Sequence, residues 1–210
     1  GISPTRMQVL AENLRWRSMA SVNIPSFSLA NVSLAGGNIP FLEGATGLFD
    51  LHKIVGWIDS VLGGIVTFAD LQIPFAAMAT DLVTGASVGL NDGPIATAIH
   101  ASCAVPTIFT PVHRKNRLLV DGAVSQNLPV PAVRALGADY VIAVDLLPTG
   151  GATVVSRSQE HPYQPRHIID VTMHSLYALI RVTQTDIYPA DATITPLIGH
   201  LSFTNLGARE

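Results

Sequence analysis

Apolar positions recur along this chain in two rhythms. Met7, Leu10, Ala11 and Leu14 stand three and four apart, the spacing that lines one face of a helix. Ser3-Pro4 stand ahead of them: a capping hydroxyl, then a ring preset for the first turn. Helical spacing returns over residues 49–62 and again over 94–104, where Pro94 opens the segment and Pro106 stops it. Residues 131–136 predict a short helix ended by Gly137, and 166–185 a long one. Continuous apolar runs at 73–80, 118–120 and 140–147 have strand length instead. The last closes at Pro148 and reads as a strand buried on both faces. Residues 21–50, rich in Ser, Asn, Gly and Pro, predict a long connection with little regular structure, and 149–164 a polar, mobile loop. Strands alternating with helices predict an α/β fold with a mainly parallel sheet flanked by helices.

One of these strands ends in chemistry. The run Leu118-Leu119-Val120 stops abruptly at Asp121, and Gly122 and Ala123 follow. A strand that stops at Asp-Gly turns there, because Gly accepts backbone angles closed to other residues. The turn leaves a carboxylate at a strand end, where open α/β sheets build their sites. Shielded from water, such a carboxylate serves as a general base. The same pattern equally describes a turn Asp bonded to its own backbone. Ser125 and Asn127 follow the turn and are candidate donors to the carboxylate.

A second pattern invites a different chemistry. Gly85-Ala-Ser-Val-Gly89 matches Gly-x-Ser-x-Gly, the elbow that lifts a nucleophilic Ser from a strand to the start of a helix. Residues 91–94, Asn-Asp-Gly-Pro, follow at once, and no helix runs through Gly93-Pro94. The flanks of Thr84-Gly85 predict a hairpin, and Ser87 a plain strand serine.

Five blocks then stand in order: residues 74–82 (Pro-Phe-Ala-Ala-Met-Ala-Thr-Asp-Leu); Asp92-Gly-Pro94 with 98–112; Asp121-Gly122-Ala123; Asn127-Leu-Pro-Val130; and 136–146. In that order they resemble the C-terminal half of a patatin-like phospholipase, a family of serine acyl hydrolases. The resemblance is strong over residues 73–147 and weaker over 1–16 and 190–205. It implies a partial patatin-like three-layer fold in a single domain, 1–210, truncated at its N-terminus and at its C-terminus. It also implies a Ser–Asp dyad in which Asp121 is the base, within the motif completed by Gly122 and Ala123. The Gly-rich oxyanion loop and the nucleophile elbow of the family precede the part that this chain resembles. The chain is therefore expected to hold no nucleophile and to be inactive alone. The implied reaction is hydrolysis of lipid acyl esters through an acyl-enzyme, with no metal or cofactor. Two other functions remain open: a catalytically silent patatin-like module for binding or regulation, and an esterase built on Ser87 with one of the 7 histidines.

Composition narrows this further. The net charge of −3, with no cluster among the 12 Lys and Arg, argues against nucleic acid as a partner. The basic stretch 113–117 reads as a solvated loop or as a contact to anionic lipid headgroups. Cys103 is the single cysteine, so no intrachain disulfide is available, and its place on an apolar helical stripe predicts inert core. The apolar stretch 54–68 is too short and too interrupted to span a membrane, and reads as a helix packed in the fold, over a cleft or on lipid. His167 and His174 share a helix face, but no carboxylate at ligand spacing joins them, so no metal is expected. Expected partners are thus a lipid or acyl-ester substrate and a peripheral membrane surface, in a cytoplasmic or peripheral-membrane setting.

Overall fold

The computed structural model describes residues 3–13, 19–22, 31–34, 37–40, 46–146, 168–183 and 189–196. In chain order its strands are β1 (Ser21–Val22), β2 (Asn31–Leu34), β3 (Gly37–Pro40), β4 (Gly47–Asp50), β5 (Ala77–Asp81), β6 (Ser87–Leu90), β7 (Thr107–Phe109), β8 (Val112–Arg114), β9 (Arg117–Asp121), β10 (Ile142–Val144) and β11 (Ala192–Ile194). Helices cover Pro4–Asn13, Lys53–Leu62, Ile95–Ser102, Ala123–Gln126, Val130–Ala135 and Ile168–Thr183. The first begins as the sequence predicts, with the Ser3 hydroxyl accepting from the Arg6 amide at 3.3 Å.

The α/β class holds. Parallel pairing joins β4 to β7 and β10 to β11, and helices flank the sheets. The strand that carries Asp121 belongs to a four-stranded sheet of order β6-β5-β9-β8, antiparallel at every pair. The connections dictate this. Five residues, 82–86, return the chain from β5 to β6, and Lys115-Asn116 alone join β8 to β9. A parallel crossover needs a dozen residues or more. Gly85, at φ 73°, takes the left-handed angle in the first of these turns.

Alternation along β5 sends Ala77 and Ala79 into a core with Leu119, Ala98 and Ala101. The small residues of the Ile95–Ser102 helix let it lie close on this sheet. Its other side, through Ala96, meets Leu51, Ile54 and Ile58, so residues 53–62 form a helix packed on a helix. Each large side chain buried here, Leu119 and Val120 among them, contributes about 1.5–3 kcal/mol.

Two expectations change. Residues 21–50 carry four short strands among their described positions rather than an unstructured connection. The run at 140–147 is open on one side. Val141, Ala143 and Asp145 are buried, while Tyr140, Ile142, Val144 and Leu146 are 52–64% exposed. An unbroken apolar run does not say how many faces its neighbours cover; packing does. The loop at 149–164 and His167 lie outside the described residues.

Candidate active site

Asp121 is the last residue of β9. Its backbone is fastened on both sides. The amide donates to the Ala104 carbonyl at 2.9 Å, and the carbonyl accepts from the Thr80 hydroxyl at 2.8 Å. Its side chain makes the Asx bond expected of a turn Asp, with Oδ1 accepting from the Ala123 amide at 2.8 Å. Among the described residues nothing donates to Oδ2. Asp121 lines a cavity of about 420 Å³, walled also by Phe75 just ahead of β5 and Ala77 and Met78 at its start, by Ile99, Ser102 and Cys103, and by Gln126, Asn127 and Pro129. Burial among these mostly apolar walls pushes the Asp121 pKa up, and the Ala123 amide offsets part of that rise.

Gly122 is required here for a reason that the sequence does not disclose. Its angles, φ −67° and ψ −25°, suit any residue. What excludes a side chain is space: a Cβ would lie 2.4 Å from the Met78 carbonyl oxygen and 2.6 Å from its carbon. The turn is pressed against the backbone of β5, and this seats Asp121 at the cavity wall.

Ser125 does not serve the carboxylate. Its hydroxyl meets the Thr80 hydroxyl at 2.8 Å. Asn127 lines the same cavity. Cys103 stands in the cavity wall rather than deep in the core. Burial, and secondarily the charge of Asp121, raise its thiol from 9.0 to about 11, so it stays protonated and unreactive near neutral pH. Tyr177 is a residue that sequence reading passed over. It lies on the Ile168–Thr183 helix, which packs on the Ala123–Gln126 helix. Burial, then Asp121, push its phenol to about 12. Only the packing of two distant helices puts this ring within the field of Asp121. Thr80 was equally hidden, since it reads as one more residue of an apolar strand.

A family model for patatin-like phospholipases matches residues 13–134, more than half the chain. The chain belongs to the patatin-like phospholipase family. An uncharacterized NTE family protein of Mycobacterium tuberculosis is 38% identical over 102 residues, 49% of this chain and 28% of that protein. A second from the same organism is 36% identical over 72 residues, 34% of this chain and 12% of that protein. Patatin-like phospholipase domain-containing protein 7 of Rattus norvegicus is 33% identical over 79 residues, 37% of this chain and 6% of that protein. This patatin-like chain therefore spans less than a third of the curated relatives it matches.

The other predicted sites take ordinary places in the patatin-like chain. Ser87 opens β6, and its hydroxyl donates to Gln126 Oε1 at 3.2 Å. A strand follows Ser87 where an elbow needs a helix. Of the basic stretch, Arg114 and Lys115 both pair with Asp92. His174 is exposed on its helix. Among the described residues no three His, Cys, Asp or Glu side chains gather to hold a metal, and no helix is long and apolar enough to cross a membrane.

Proposed function

We propose that Asp121 is the general base of a Ser–Asp dyad in a hydrolase of lipid acyl esters. The dyad's serine would come from a part of the protein beyond these 210 residues. Membership of a family of lipid acyl hydrolases supports the reaction class. The observation that carries the role is the setting of the carboxylate: one oxygen is held by Ala123, the other has no donor among the described residues, and Asp121 lines a mostly apolar cavity.

The chemistry follows from that state. A lone carboxylate is a weak base for a hydroxyl in water. Removed from water it holds a proton more strongly, which suits it to take one from a serine. The serine oxygen attacks the ester carbonyl, and the proton taken by Asp121 passes to the leaving alcohol. Water then attacks the acyl-enzyme and gives its proton to Asp121, which passes it to the departing serine oxygen as the fatty acid is released. The apolar walls from Phe75, Met78 and Ile99 suit an acyl chain.

The test uses the full-length protein, a short-chain ester and a serine-directed fluorophosphonate. Asp121→Asn is expected to lower ester turnover by ~10²–10⁴-fold while the fold is retained, because Asn keeps the shape but takes no proton. Ser87→Ala is expected to leave both turnover and labelling unchanged. Near wild-type turnover in Asp121→Asn would end the dyad reading, and a full-length protein with neither turnover nor labelling would favour a silent binding module. Labelling lost in Ser87→Ala would move the nucleophile to β6.

A further inference from the structure

We infer that Thr80 is a positioning residue for the Asp121 carboxylate, acting through a single buried hydroxyl that ties Asp121, where the turn begins, to Ser125 in the helix that follows it. The inference rests on the reading of Asp121 as the base. Thr80 lies on β5, opposite Val120 of β9, and is 2% exposed. Its hydroxyl has one proton and two lone pairs. The proton goes to the Asp121 carbonyl at 2.8 Å. The Ser125 amide donates to one lone pair at 3.2 Å. The Ser125 hydroxyl, 2.8 Å away, then has to be the donor to the other. The group is saturated, and all three partners lie 41 or 45 residues away in the chain.

The consequence is geometric. The Asp121 carbonyl and the Gly122 amide share one rigid peptide plane. If that plane turns, Gly122 and Ala123 turn with it, and the Ala123 amide is the group that holds Oδ1. Ser125 closes the far side of the turn on the same oxygen. The carboxylate is thus aimed through its own backbone, by a hydroxyl that bonds the Asp121 carbonyl rather than the carboxylate. Removing the hydroxyl takes this partner from the Asp121 carbonyl and the Ser125 hydroxyl in a partly buried place, and leaves the Ser125 amide only its 3.2 Å bond to the Gly122 carbonyl.

The test compares Thr80→Val, which keeps the shape and loses the hydroxyl, with Thr80→Ser, which keeps the hydroxyl. Both are made in the full-length protein beside Asp121→Asn. Thr80→Val is expected to lower kcat by ~10- to 100-fold with little change in KM, the scale of a small misplacement of a reacting group. The acidic limb of its pH profile is expected to move toward the ordinary carboxylate range as water reaches the loosened Asp121. Thr80→Ser is expected to restore both. If Thr80→Val does not fold, Ser125→Ala decides: it keeps the threonine and is expected to lower kcat several-fold at constant KM. Wild-type kcat and pH profile in Thr80→Val, or in Ser125→Ala where that variant decides, overturn the positioning role, provided Asp121→Asn is inactive. Activity retained in Asp121→Asn overturns the dyad itself, whatever Thr80 does.

Discussion

Two strands of the same sheet end in the same way and come to different things. β5 ends at Asp81 and β9 at Asp121. Each carboxylate accepts from the amide two residues on: Asp81 from Val83 at 3.0 Å, Asp121 from Ala123 at 2.8 Å. Because the strands run antiparallel, the two turns lie at opposite ends of the sheet. The Asp81 turn is a hairpin whose Leu82 and Val83 stand in solvent, 48% and 81% exposed. The Asp121 turn enters a helix and borders the cavity. Burial does not separate them, since Asp81 is itself only 8% exposed. What separates them is what the carboxylate faces, and that is a property of neighbours far off in the chain.

The largest contrast is expected in activity. Beside the loss in Asp121→Asn, Asp81→Asn is expected to retain turnover within about threefold, because Asn can still accept the Val83 amide and Asp81 meets no substrate. Equal losses in the two variants, each shown folded by circular dichroism, would erase the distinction.

Next is the thiol beside one of the two turns. With a thiol at about 11, Cys103 is expected to react with iodoacetamide at pH 8 roughly 100-fold more slowly than a thiol of pKa 9.0. Asp121→Asn removes the negative charge and should speed the reaction, though only in part, because burial is the larger cause. Asp81→Asn should leave it alone. A rate indifferent to Asp121 would place the thiol outside that carboxylate's field.

The glycines of the two turns should fail for different reasons. Gly122→Ala drives a Cβ into the Met78 backbone and is expected to cost about 1–3 kcal/mol or more by urea unfolding. Gly85→Ala meets no atom within 4 Å, but holds a left-handed angle, and is expected to cost about 1–2 kcal/mol. A cheaper Gly122→Ala would mean that the turn is not pressed on β5.

The smallest effect is the pH dependence. The base must be ionised, so the acidic limb of kcat/KM is expected above the ordinary aspartate value of 3.8. The sign for stability is opposite. Since the folded chain raises this pKa, the stabilisation is fully present below pH 3.8 and is lost as pH rises through the raised value. Asp121→Asn should abolish that slope, and Asp81→Asn should leave it.

Signals that act over a few residues were legible along the chain. Cap, proline and glycine signals placed the helices at 4–13, 95–102 and 130–135, because capping and torsion act within a few residues, while spacing alone ran the 53–62 helix back into β4 and nothing marked the Ala123–Gln126 helix. An Asp-Gly step after an apolar run marked a strand end with a carboxylate on it, and Gly93-Pro94 told against a helix after Ser87. The ordered blocks carried the family. Packing between elements supplied the rest. It made the sheet around Asp121 antiparallel, left one face of β10 open, and gave Gly122 its reason in the nearness of Met78. It also turned Ser125 away from the carboxylate to saturate Thr80, and brought Cys103 and Tyr177 within the field of Asp121. Each of these depends on atoms tens of residues apart meeting within a few ångströms. A pattern read along the chain carries the periods and caps that fix an element, but not the distances between elements, and it is those distances that decide which carboxylate faces a cavity.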